Sequence, residues 1–304
     1  MKEILLITGG SGLLALNWAL GKRERFSIVL GVHTRKVVVR GVDVQYINLE
    51  SIETLISSIE NIQPQLIVHT AGLTDVELCE ADPELAYYVN FELARNVAVA
   101  CASLSVPLVH ISTDHLFSGE HSWISEKTHV SPINVYGRTK AKAEKGVLDA
   151  CPDALIVRTN FYGWGPMYRR SFSDMIIDAL RSGKELTLFK DVYYTPILAE
   201  VLVDVTHELV NKKANGVFHV VGDERVSKHE FGLKVAEMFQ LNSSLIKSGS
   251  ISDKTNLTPR PNDMSMSNKK VSQLIGRRIG GLEKHLKILF QQYNIKLAQE
   301  IQNI

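Results

Sequence analysis

At 304 residues, 45% hydrophobic and 22% charged, the chain can bury a sizeable core in one large or two smaller domains. A formal charge of +1, with Lys and Arg scattered and no long basic run, argues against a nucleic-acid or membrane surface and for a small-molecule partner. Cys79, Cys101 and Cys151 lie far apart without a Cys-x-x-Cys, and the 10 histidines show no His-Glu-x-x-His spacing, so the expectation is a reducing, cytoplasmic setting and no metal.

The N-terminal stretch Ile4 to Leu20 is apolar enough to resemble part of a signal peptide. Glu3 and the glycines at 9, 10 and 12 argue against one, and no later run approaches the ~18 apolar residues of a membrane span. The stretch reads instead as strand, glycine turn and helix. In Thr8-Gly9-Gly10-Ser11-Gly12-Leu13-Leu14-Ala15 the glycines allow a tight turn and close approach of backbone to a pyrophosphate, whose charge meets a helix N-terminus. Ala15 replaces a third glycine, whose task is close helix–strand packing.

Ile28–Leu30 predicts the second strand. An acidic residue at its end would bind a ribose 2′-hydroxyl, but the sequence continues His33-Thr34-Arg35-Lys36. A cationic cluster there favours the 2′-phosphate of NADP(H), with NAD(H) the alternative if these are only solvated loop charges. Further strands are expected at Val44–Tyr46, Leu66–His69, Leu108–Ile111 and Ala154–Val157. Helices between them follow from Ile52, Leu55, Ile56, Ile59 and Ile62 after an N-capping Ser51, and from Asp82-Pro83, which opens a helix running to about Leu104. Alternating strands and helices predict an α/β fold, a Rossmann-type doubly wound parallel sheet over residues 1–160.

Val135-Tyr136-Gly137-Arg138-Thr139-Lys140 follows, and a helix brings Tyr136 and Lys140 onto one face. There the ammonium could lower the phenol's pKa and make it a usable acid, with the Thr113 hydroxyl completing the site. Past Asn160 the alternation loosens into a smaller mixed α/β substrate domain, 161–304, with part of 196–222 expected to rejoin the first sheet. Helices are predicted over Phe172–Arg181, Lys228–Phe239 and Leu282 to about Gln302, a strand at Val217–Val221, and an extended loop at Leu257–Asp263. Trp164 and Arg260, on loops of this half, could offer an aromatic face to a nucleotide base and a cation to its diphosphate, or could be structural.

Taken together, the Gly-x-x-Gly-x-x-Ala turn, Thr113 at a strand end and Tyr-x-x-x-Lys resemble an extended short-chain dehydrogenase/reductase. Ser112-Thr113-Asp114-His115-Leu116-Phe117-Ser118-Gly119 is similar to the Ser-Thr-Asp-Tyr-Val-Phe-Asp-Gly run of dTDP-4-dehydrorhamnose reductases. Ala71–Glu77, Tyr194-Thr195-Pro196 and Arg260-Pro261 carry the likeness over nearly the whole chain. The resemblance implies reduction of the 4-keto group of a nucleotide-linked 6-deoxysugar. In that role Tyr136 donates the proton, Lys140 activates it and bonds the nicotinamide ribose, and Thr113 holds the carbonyl oxygen.

It also implies cofactor contacts from Ala71, Gly72, Leu73, Asn48, Leu49 and Asn160, and sugar contacts from Thr74 and Asp114, which could equally be turn and capping residues. Asn48 stands where the family usually has aspartate. His115 stands where the reductases have tyrosine and where related dehydratases have the glutamate that removes a proton from the sugar. A sugar-nucleotide epimerase and a non-catalytic NADP-binding regulatory subunit, similar to the methionine adenosyltransferase β subunit, are the alternatives that the same residues leave open. A homodimer is a further expectation of such folds.

Overall fold

The computed structural model describes residues 2–254 and 257–304. Seven parallel strands form the central sheet: β1 Ile4–Thr8, β2 Ser27–Val32, β3 Asp43–Tyr46, β4 Leu66–His69, β5 Leu108–Thr113, β6 Leu155–Thr159 and β7 Gly216–His219. Their order is β7-β6-β5-β4-β1-β2-β3. The chain therefore reverses direction across the sheet between β1 and β4, opening a crevice beyond their carboxyl ends. Most of these strands are continuous apolar runs because helices cover both faces of the sheet.

The N-terminal stretch forms β1, the turn and the Leu13–Lys22 helix, buried from Leu13 through Leu20. Ser51 caps the Ile52–Ile62 helix through the Thr54 amide, and Asp82 caps the Pro83–Tyr87 helix through Leu85. The single helix expected from Pro83 to Leu104 is interrupted by a wide π turn over Tyr88–Glu92 before an α-helix resumes at Leu93–Ser103. A physical reason lies in Asn90, which this turn places inside the protein. Its amide bonds the Leu73 backbone N–H at 2.8 Å and C=O at 3.0 Å, and Thr139 Oγ1 at 3.1 Å. Those contacts tie the loop after β4 to the helix carrying Tyr136.

The terminal helix also divides, into Leu282–Asn294 and Leu297–Gln302, because Lys296 adopts φ 65°. In the second half Leu186–Phe189 pairs in parallel with Ile246–Gly249, against which the Lys228–Met238 helix packs. Among the described residues no helix is long and apolar enough to cross a membrane, and no three His, Cys, Asp or Glu side chains form a metal-binding group.

Candidate active site

A cleft of about 750 Å³ lies along the carboxyl ends of the strands. Its floor begins at Gly9, whose φ of +74° and whose approach to Ala71, 2.6 Å from where a Cβ would stand, leave no room for a side chain. Gly10, Ser11, Gly12, Leu13 and Leu14 continue the same wall, and His33, Arg35 and Leu49 line the cleft beyond β2 and β3. Ala71, Gly72 and Thr74 form the opposite lip, while Thr113, Asp114, His115, Tyr136, Lys140 and Asn160 close the inner end.

Tyr136 and Lys140 occupy the start of the Val135–Ala150 helix, where Asn134 caps the Gly137 amide at 2.8 Å and reaches back to Pro259 O at 3.0 Å. Gly137 is required for that seat: a Cβ there would stand 2.3 Å from the His115 carbonyl oxygen. Burial pushes the Tyr136 phenol up to about 12, opposed by its hydrogen bond with Thr113. Lys140 is pushed down to about 8 by burial, with the Glu144 carboxylate acting against it. Its ammonium donates to Ile111 O at 2.8 Å and lies 3.3 Å from His110 Nε2.

The expected lowering of the phenol is thus corrected: burial raises it, while two of the ammonium's hydrogen bonds go to a carbonyl and an imidazole. Thr113, by contrast, does act on Tyr136. Glu144 is itself held by Arg158, at 2.6 to 3.1 Å, and by Ser112 Oγ at 2.5 Å. Behind Lys140, burial holds His110 well below its usual range and His69 down to about 3, so both imidazoles are neutral near pH 7.

Asp114 accepts a hydrogen bond from the Asn160 amide. His115 crosses the Tyr136 ring edge-on at 5.4 Å, and burial lowers its pKa. A second cavity of about 490 Å³ shares Thr74, His115, Asn160 and Phe172 with the cleft and is backed by Leu188, Phe189, Val192 and Met264. Arg260 lines it and pairs with Glu77.

Three residues expected to touch ligand line neither cavity. Trp164 is 1% exposed and packs on Phe239 and Tyr293, with ring centroids 6.0 and 5.9 Å away, so it is core and lines neither cavity. The Asn48 side chain turns to the Glu50 amide at 2.9 Å, leaving Ile47 and Leu49 on the cleft wall. Leu73 packs with Val76, Cys79 and Tyr136 and is not part of the cleft wall.

Sequence reading passed over Lys228, Arg169 and Arg170. Lys228 lines the second cavity, its ammonium 3.4 Å from the Tyr194 ring centroid and 5.0 Å from that of Phe172. Burial lowers it to about 8, Asp114 opposing and Arg260 adding to the fall. A signal was present: a cation at the first position after the Ser227 capping box sits against the helix dipole, a placement that local helix rules disfavour.

The model of the family described as RmlD substrate binding domain matches residues 1–295. The chain belongs to that family. It is 30% identical, over 93% of its length and 96% of the relative's, to the probable low-salt glycan biosynthesis reductase Agl14 of Haloferax volcanii. It is 27% identical to methionine adenosyltransferase 2 subunit beta of Xenopus tropicalis, over 90% of this chain and 83% of that one. Among solved structures, dTDP-4-dehydrorhamnose reductase from Bacillus anthracis in complex with NADP superposes with a TM-score of 0.85 at 25% identity, covering 96% of this chain and all of that one. The resemblance read from the motifs and the doubly wound α/β fold are both borne out.

Proposed function

We propose that this oxidoreductase uses NADPH to reduce the 4-keto group of a nucleotide-linked 6-deoxysugar. The observation that carries the reading is the meeting of Thr113, Tyr136 and Lys140, from two different elements, where the cleft and the second cavity share His115 and Asn160. A dinucleotide fits the cleft. The Leu13–Lys22 helix begins at Gly12 with no side-chain cap and no acid in its first turn, an N-terminus suited to a pyrophosphate. Arg35 and Arg169 supply further positive charge along the wall. Bound there, NADPH would supply the hydride.

The chain's own groups handle the oxygen. A phenol held protonated by burial is the form a reduction consumes, since a proton must reach the oxygen as it gains charge. Thr113, in hydrogen-bond contact with that phenol, can hold the same oxygen in place. Lys140, anchored by Ile111 O and His110, keeps a third N–H for the cofactor's ribose. Position 115 offers a neutral imidazole and no glutamate, which favours reduction over removal of a sugar proton. Lys228 and Arg260 would hold the diphosphate and the apolar back wall the base.

The kinship with methionine adenosyltransferase β subunits supports a second reading, a regulatory subunit that binds NADP without turnover. Spectrophotometric NADPH loss across a panel of 4-keto-6-deoxy sugar nucleotides tests the two. Net consumption matched by reduced sugar supports the reductase; no consumption, with co-purification of a synthetase, supports the regulator.

A further inference from the structure

We propose that Tyr168 is a specificity-determining residue for the cofactor, a clamp that holds Arg35 at the 2′-phosphate position. The inference rests on the NADP(H) reading of the cleft. Arg35 stands just past the end of β2, where the adenosine ribose of a bound dinucleotide lies in this topology. A guanidinium on a loop has many rotamers, and only a few direct it at one phosphate. Here its carbon lies 4.0 Å from the centre of the Tyr168 ring. Seated on a ring, a guanidinium still directs its N–H donors outward in its own plane, the edge that grips a phosphate.

The ring is fixed in turn. Tyr168 donates its hydroxyl proton to Ser11 O at 2.9 Å, on the phosphate turn itself. The next residue reaches the other way, Arg169 donating to Thr74 Oγ1 at 2.6 Å across the cleft. Below them, Asp174 accepts from the Gly165 and Ser171 amides at 2.8 and 2.9 Å and fixes the ends of the segment. The 165–171 segment is therefore a strap over the cleft, and Tyr168 is the point at which it touches both the phosphate turn and Arg35. Cofactor choice would then depend on the second half of the chain as well as on the end of β2.

The test compares binding of 2′,5′-ADP and 5′-AMP by calorimetry, a readout independent of turnover. Wild type is expected to prefer 2′,5′-ADP and Arg35→Ala to lose that preference. Tyr168→Ala should weaken 2′,5′-ADP about five- to tenfold while leaving 5′-AMP within about twofold, from the worth of one stacked cation. Tyr168→Phe, which keeps the ring, should retain most of the preference. If wild type and Arg35→Ala both bind the two nucleotides equally, the NADP(H) reading falls. If they differ as expected but Tyr168→Ala matches wild type, or weakens both nucleotides alike, the clamp falls and the cofactor reading stands.

Discussion

Along the sheet side of the cleft, Thr113, Tyr136 and Lys140 are only 5, 8 and 5% exposed and are fixed by a strand end, a capped helix and a backbone carbonyl. On the facing side, Arg169, Lys228 and Arg260 stand on loops and a helix start, half-buried or exposed, and are oriented by an aromatic ring, a hydroxyl or a lone carboxylate. The first arrangement suits chemistry, which needs atoms held within fractions of an ångström. The second suits recognition, in which substrate can select among side-chain positions. Variants on the two sides should accordingly fail in different kinetic parameters.

The largest effect is expected on the rigid side. Tyr136→Phe should lower kcat by about 10²–10⁴-fold with NADPH affinity unchanged, as steady-state rates and cofactor titration would show. An unchanged rate would remove the phenol from the reaction. Gly137→Ala forces a methyl group against the His115 carbonyl and should cost about 1–3 kcal/mol in denaturant unfolding, together with most of the activity. On the recognition side, Lys228→Met should raise KM for the sugar nucleotide about 10- to 100-fold and leave kcat and NADPH affinity near wild type. A fall in kcat alone would break the division between the two sides.

Lys140 gives a pH signature whose two parts run in opposite directions. Held at about 8 against an ordinary 10.5, it loses its proton as pH rises through 8, and kcat/KM should then fall about tenfold per unit. Between about 8 and 10.5 the unfolded chain binds the extra proton, so this group's contribution to stability rises with pH over the same window. Parallel loss of activity and stability would point instead to alkaline unfolding. The smallest effect is expected at Trp164→Phe, about 1–2 kcal/mol of stability with KM untouched; a raised KM would return Trp164 to the substrate site.

What could be read in advance follows the same division. The phosphate turn and the Tyr136–Lys140 spacing are local, each complete within one strand-to-helix turn or one helical turn, so pattern alone locates them. The engagement of Lys140 by His110 and Ile111 O rather than by Tyr136 was not legible, because those partners come from a strand whose register with the helix only the fold sets. Trp164, flanked by Gly163, Gly165 and Pro166, had the look of an exposed loop aromatic. Its partners Phe239 and Tyr293 belong to distant helices. Lys228 becomes visible as a site residue only when Asp114, Phe172 and Tyr194 gather round it.

The most direct test of the account is wild-type turnover of a 4-keto-6-deoxy sugar nucleotide with NADPH deuterated at the transferable position. The expected result is one deuterium at C4 of the product for each NADPH consumed. A product formed without consumption of NADPH, or one with no deuterium at C4, would contradict it.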